Sequence, residues 1–453
     1  MFALAAATAL AGCGGDDGGP PDAGPPDLPE WRGDHPSASV IGTRRGLTHA
    51  RGIIHLHSPY SHDACDGDPR AFNGDLDEDC LADLKAALCT TRQDYAVLTE
   101  HDDSMADEDF EDLFLIRGND ELILDGGDNP IAARIACENG HSFVLYTGGE
   151  NRQMPIMIDR HPSGTIEQRH DTYNAGDAAT MELWRTLGGM GWYAHTEEKD
   201  LDLLRTTQPD GFEIYNLHFN VLEPGNLQEV IQFSDTTVFG PEPDLAMLSF
   251  LSENESAISK WNTLLGEGGR FWGSGGTDAH QNVLPILLRD GERGDSYRRM
   301  IRWFSNVALV NDPTDHVQIE DAIRAGRFFV AFEIMGTPVG FDLEAEGVEM
   351  GGDVAVGTTI TMTLPTVYEK SAELPEPVIR GRILRIDADG SANEVAEGTG
   401  PPISAEVTDG AVAYRAEVLI TPLHWGPHLG NLGTAFAERE QVWIYSNPFY
   451  VLP

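Results

Sequence analysis

Between residues 50 and 335, short runs of apolar, β-branched and aromatic residues alternate with stretches of helical period. The runs RGIIHL, YAVLTE, SFVLYTG, GWYAH, GFEIYN, RFWGSG and NVALV have the length and composition of buried strands. Between them CLADLKAALCTTR, PIAARIACENG, ATMELWRTLGG, the segment from Asp244 to Leu265 and QIEDAIRAG carry helix-like spacing. Strands alternating with helices predict an α/β fold of parallel βα units over residues 47–335, because a parallel strand is reached only through a crossover. A closed TIM-like barrel is the expected arrangement, with an open doubly wound sheet as the competing one.

The pattern changes near Gly336. From there to Pro453 only strand-like runs occur, such as TTITMTLPTVY, VIRGRILRIDADG and VAYRAEVLI, punctuated by Gly, Pro and Asp-Gly turns. Residues 336–453 are therefore expected to form a small all-β sandwich.

Charge and termini narrow the function. The 453 residues carry a formal net charge of -44, and only four of the 30 basic residues are lysine. Such a surface repels polyanions, so nucleic acid is excluded as a partner. The first residues, MFALAAATALAGC, form an apolar run ending in Leu10-Ala11-Gly12-Cys13, similar to the lipobox of bacterial lipoproteins. Residues 1–13 are expected to be a signal peptide with Cys13 lipidated, and residues 14–46, rich in Gly, Asp and Pro, a flexible tether. The expected address is the bacterial cell envelope, extracytoplasmic and membrane-bound through the lipid alone. Cys65, Cys80, Cys89 and Cys137 would then form two disulfides; among the three possible pairings we expect the sequential one.

The strand-like runs share one feature at their carboxyl ends. The first leads into His55 and His57, with His62 and Asp63 just beyond; the second into Glu100, His101 and Asp102; the third into Glu150. The fourth ends in His195, the fifth carries Glu213, and the sixth runs into Asp278 and His280. In a βα barrel these ends meet on one face. An HxH pair alone is weak, and each of the other groups alone could be a cap, a turn or a packed histidine. Together, imidazole nitrogens and carboxylate oxygens suit zinc, manganese or iron, with enough ligands for two or three divalent ions and Glu150 as the natural bridge.

In this order the motifs resemble the PHP (polymerase and histidinol phosphatase) superfamily of metal-dependent phosphoesterases. The matching segments are His55-Leu56-His57, Thr99-Glu100-His101-Asp102, Gly149-Glu150, Ala194-His195 and Thr277-Asp278-Ala279-His280, spread over about 230 residues. The resemblance implies a distorted (β/α)7 barrel. It implies one metal on His55, His57, Glu150 and Asp278, and a second on His101, His280 and His62, with Asp63 in reserve. A third would lie between His195 and His161, with His170 as the rival of His161. It further implies roles in the reaction for Glu150, Asp278 and His195, and supporting contacts from Glu100, Asp102 and Glu213. Arg152 and Arg160 are candidates for a phosphate clamp. The expected activity is hydrolysis of a small phosphoester by metal-bound hydroxide. The all-β tail ending WIYSNPFYV is similar to that of exported PHP proteins related to carbamate-ester hydrolases, so carbamate or carboxylic ester hydrolysis is the alternative. A non-catalytic surface lipoprotein that binds a metal or ligand is the reading of a different class. Oligomeric state is not legible.

Overall fold

The computed structural model describes residues 28–67, 75–101, 105–222, 231–237 and 239–453. The signal-like segment and its Cys13 lie outside the described residues. We number the strands that frame the site β1 (Thr48–Ile53), β2 (Tyr95–Glu100), β3 (Glu121–Leu124), β4 (Pro130–Ala136), β5 (Ser142–Gly149), β6 (Met154–Ile156), β7 (Met190–Tyr193), β8 (Gly211–Asn216), β9 (Trp272–Gly276), β10 (Ser305–Val310) and β11 (Phe328–Ala331). All seven runs expected as strands are strands.

The fold is mixed α/β. β1, β2 and β5 run parallel, with Gly52 beside Tyr95 and Tyr95 beside Val144. β7, β8 and β9 form a second parallel group, with Trp192 beside Gly211 and Gly211 beside Trp272. Every residue of β2 and β8 is buried, which explains their unbroken apolar character, since parallel strands are covered on both faces. Helix Glu78–Thr90 supplies part of that cover. Asp77 caps it by accepting from the Asp79 and Cys80 amides, and Leu81, Leu84, Ala87 and Leu88 form its buried stripe.

The two parallel groups belong to separate hydrogen-bonded sheets, and no closed barrel is detected among the described residues. Past the end of β1, Leu56 forms a parallel bridge with Ala279, and the His55 carbonyl accepts from both Thr277 Oγ1 (2.6 Å) and the Asp278 amide (3.2 Å). The carboxyl ends of β1 and β9 therefore abut.

Three expectations are corrected. PIAARIACENG is not a helix: Pro130–Ala136 is β4, paired antiparallel with β3 on one side and β5 on the other. The Asp-Gly-Gly-Asp-Asn stretch ahead of it is the turn of a hairpin, and cross-strand pairing overrides the Ala-rich helical spacing. NVALV is not a parallel strand: β10 runs antiparallel to β1, and Asn306 ties it to β9 by hydrogen-bonding the amide and carbonyl of Gly275, each at 2.9 Å. Nor does the sheet stop at residue 335. Strand Gln441–Ser446 pairs antiparallel with β11, Phe329 lying beside Ser446, and Ala411–Thr421 and Val378–Asp387 continue outward. A separate four-stranded sheet, built from Asp342–Ala345, Val348–Glu349, Thr359–Thr363 and Ile403–Glu406, makes up another part of the all-β region.

A buried ion pair fastens β1 to this region. Arg51 donates from Nε and Nη2 to the Glu333 carboxylate at 2.6 and 2.7 Å, and Ser305 and Thr337 donate to the same oxygens, each at 2.8 Å. Both charged side chains are wholly inaccessible to solvent. No helix among the described residues is long and apolar enough to cross a membrane.

Cys65 pairs with Cys80 and Cys89 with Cys137, the sequential pairing. The first bridge pins the loop after β1 to helix Glu78–Thr90. Closing a loop of 15 residues, it should contribute about 3 kcal/mol. We expect Cys65→Ala/Cys80→Ala to unfold at correspondingly lower denaturant, and an unchanged midpoint would contradict this.

Candidate metal centre

Successive side chains on a strand point to opposite faces, so His55 and His57 can meet only where the ladder has ended. Pairing of β1 stops at Ile53, and the chain bends toward β9. The two Nε2 atoms then lie 3.1 Å apart. Glu150, one residue past β5, and Asp278, in the turn after β9, complete the group. Glu150 Oε2 is 3.2 Å from each imidazole nitrogen, and Asp278 Oδ1 is 3.4 Å from His55 and 3.2 Å from His57. Four donors about 2.0–2.1 Å from one tetrahedral centre have edges of about 3.3–3.4 Å, so these spacings fit a zinc-sized cation.

Solvation supports the fit. His55 and His57 are inaccessible to solvent, and Asp278 Oδ1, Asp63 Oδ1 and His280 Nε2 are buried without a hydrogen-bond partner. Buried polar atoms seldom go unpaired, and three of the unpaired ones belong to this cluster. Burial opposes charge on His55, but the carboxylates of Glu213, Glu150 and Asp278 outweigh it and raise its pKa well above the ordinary value. His57 is pushed up to about 10 against the same opposition, chiefly by Asp278 and Glu150. The pocket is thus built for positive charge. His280 goes the other way: burial lowers its pKa to about 3. Both Asp278 and His195 adopt left-handed backbone at φ 48°, a region that non-glycine residues enter uncommonly.

A second set of donors flanks the first. Asp63 Oδ2 lies 3.2 Å from His101 Nε2 and 3.6 Å from His280 Nε2, and His280 Nε2 is 3.3 Å from Asp278 Oδ1. Asp63, the reserve candidate, takes the place expected of His62. His62 is exposed, its ring 5.1 Å from that of His101. On the opposite flank, His195 Nε2 is 3.0 Å from Glu150 Oε1 and 3.3 Å from Asp278 Oδ2. His218, which nothing in the sequence pattern singles out, groups instead with Asp278 and His280: its Nδ1 is 3.2 Å from Asp278 Oδ2 and its ring 4.7 Å from that of His280.

Outer contacts orient these ligands. Glu213 Oε1 is 2.6 Å from His55 Nδ1, and its Oε2 accepts from the His195 amide at 3.0 Å and from Asn216 Nδ2 at 2.9 Å. A Cβ on Gly276 would come 1.7 Å from Glu213 Oε1, so only glycine leaves room for this carboxylate. Losing such an outer partner typically costs about 10- to 100-fold in metal affinity, and we expect Glu213→Gln to show that loss in zinc competition against a chromophoric chelator. Affinity equal to that of the wild type would contradict it. Glu100 holds the loop: both its oxygens accept from the Ser58 amide, at 3.1 and 3.2 Å, and burial pushes its carboxyl up to about 7. Asp102 lies outside the described residues.

Four candidates are not brought into the cluster. His161 shares hydrogen bonds from Nδ1 with the Tyr173 hydroxyl (2.9 Å) and from Nε2 with the Glu108 carbonyl (3.1 Å). Both nitrogens are occupied, so it cannot complete a third site with His195. Its rival His170 pairs with Asp107 at 2.8 Å. Arg160 is exposed and donates to the Thr186 carbonyl at 2.8 Å, while Arg152 is exposed with its stem along Gly176. Neither arginine pairs with a cluster carboxylate.

No known family pattern matches the chain, and no curated protein matches it. Among solved structures it is similar to the crystal structure of PsfC from Pseudomonas syringae PB-5123. The TM-score is 0.27 at 11% identity, over 57% of this chain and 82% of that one. That likeness is too slight to carry a fold or a function.

Proposed function

We propose that the protein is a metal-dependent hydrolase of the PHP type, acting on a small phosphoester with two or three divalent ions, zinc, manganese or iron. The observation that carries this reading is the convergence of His55, His57, Glu150 and Asp278, donated from the ends of β1, β5 and β9, at edges of 3.1–3.4 Å. We read the two parallel groups as arcs of a distorted (β/α)7 barrel, an arrangement supported by the abutting carboxyl ends of β1 and β9. The resident cations would be held by that group and by Asp63, His101 and His280. When bound they supply an activated water at neutral pH and neutralise charge developing on the ester. The chain's own residues position them: Glu150 and Asp278 face both flanks with separate oxygens, Glu213 fixes the His55 ring, and Glu100 holds the loop that carries Asp63.

One observation favours a second reading, hydrolysis of a carbamate or carboxylic ester. Neither Arg152 nor Arg160 is placed to clamp a phosphate dianion, whereas a neutral ester needs no such clamp. Chromogenic phosphomonoesters, phosphodiesters, carbamates and carboxylic esters, each assayed before and after chelation, separate the two. Chelator-sensitive turnover of phosphoesters supports the first; turnover of carbamate or carboxylic esters alone replaces it with the second. Chelator-insensitive turnover, or none on any class, contradicts both and favours a non-catalytic binding protein. We also retain the lipid-anchored envelope location as a proposal, to be tested by metabolic labelling of Cys13.

A further inference from the structure

We propose that the cavity between the segment leading into β1 and the all-β region binds a small uncharged aromatic molecule that carries a hydroxyl group. The inference is independent of the metal-centre reading, and none of the residues it uses belongs to that cluster.

The cavity has a volume of about 650 Å³, within the range of small-molecule sites, and stretches of chain remote in sequence build it. Trp31 comes from the segment before β1, Phe239, Glu242 and Arg289 from the connections on either side of β9, and Pro427 and His428 from the all-β region.

The apolar walls are held in place. The Trp31 indole donates to Asp244 Oδ2 at 2.8 Å, and the Arg302 guanidinium lies over its ring at 5.1 Å. The Phe239 carbonyl accepts from the Asn431 amide at 2.9 Å, an approach that Gly430 allows because a Cβ there would collide with the same carbonyl. The Phe239 side chain is nonetheless 46% exposed, so the cavity keeps an aromatic surface that a flat apolar ring would cover.

The polar groups define the rest of the ligand. Arg289 donates from Nη1 to the Gly240 carbonyl at 2.7 Å and from Nη2 to Glu242 at 3.1 Å. The two charges answer each other, which leaves none to balance a charged ligand, and burying an unpaired charge costs far more than burying a neutral group. His428 is different. It is only 9% exposed, its ring meets Trp31 edge-on at 5.1 Å, and no described residue hydrogen-bonds that ring. Burial, reinforced by Arg289, lowers its pKa, so the imidazole is neutral at pH 7. A neutral imidazole offers one N–H and one lone pair, the complement of a hydroxyl group. Polar groups this deeply buried seldom lack a partner, and a bound hydroxyl would supply one.

The test titrates the full chain with 4-ethylphenol, ethylbenzene and 4-ethylbenzoate, followed by ligand-detected NMR. 4-Ethylphenol should occupy one site, ethylbenzene should bind about three- to tenfold more weakly for want of the hydrogen bond, and 4-ethylbenzoate more weakly still. His428→Phe, which keeps a ring and removes both nitrogens, should bring 4-ethylphenol down to the affinity of ethylbenzene. Phe239→Ala, at an exposed position that does not endanger folding, should weaken both neutral compounds and decides the matter if His428→Phe is misfolded by circular dichroism. Binding should survive chelation, since the cavity and the metal cluster share no residue. Unchanged 4-ethylphenol affinity in Phe239→Ala or in a folded His428→Phe, a preference for the benzoate, binding that chelation abolishes, or no binding to wild type would each overturn the proposal.

Discussion

Replacing both His55 and His57 with alanine should remove bound metal and hydrolysis together. The two rings supply two of the four central donors, and their Nε2 atoms are within 3.2–3.4 Å of Glu150 and Asp278. Loss of a single outer partner already costs about 10- to 100-fold, so loss of two direct ligands should lower hydrolysis by more than about a hundredfold. His161→Ala is the matched control. Its nitrogens are engaged with Tyr173 and Glu108, so it should keep the metal that the double variant loses. Full activity in the double variant, measured by initial rates on the best ester found, would contradict the metal-centre account.

The largest expected effect on stability is at Arg51. Truncation to alanine leaves the Glu333 carboxylate inside the protein without its cation, which should cost about 3–5 kcal/mol in denaturant unfolding. Exchanging both partners for apolar residues, as in Arg51→Met/Glu333→Leu, should recover most of that loss, because the desolvation cost disappears with the charges. If single and double variants were equally unstable, packing rather than the ion pair would be responsible. The pair also has a pH signature. Burial opposes ionisation of Glu333, but Arg51 and His35 prevail and lower its pKa to about 2. A carboxyl with a depressed folded pKa contributes fully above its unfolded value of about 4.3, and the contribution is lost as pH falls through the folded value. Wild type should therefore lose this increment between about pH 4.3 and pH 2, and Glu333→Gln should not.

Much of the candidate site was legible because its residues sit just past strand ends, where local patterns are strong. HxH, TEHD, GGE, AH and TDAH each follow an apolar run, and the chain brings His55, His57, His101, Glu150, His195, Asp278 and His280 together. What failed has physical reasons. The choice between His62 and Asp63 depends on how the loop after β1 turns, and that loop is set by a disulfide and by the bridge of Cys65 to Gln281. His218 lies in a helix with no motif around it and reaches Asp278 only through the packing of β8 against β9. His161 has the right residue type and spacing, but Tyr173 and Glu108 take its nitrogens. The β3–β4 hairpin was hidden by Ala-rich helical spacing. The expected boundary near Gly336 marks a true change of composition, yet pairing of β11 with Gln441–Ser446 joins segments far apart in sequence and leaves no local trace.

The most direct measurement is the metal content of the purified chain, by elemental analysis, alongside ester hydrolysis before and after chelation. The account predicts two or three equivalents of zinc, manganese or iron and turnover that chelation abolishes and metal restores. A chain that binds no metal after reconstitution, or that hydrolyses esters undiminished by chelation, would contradict it.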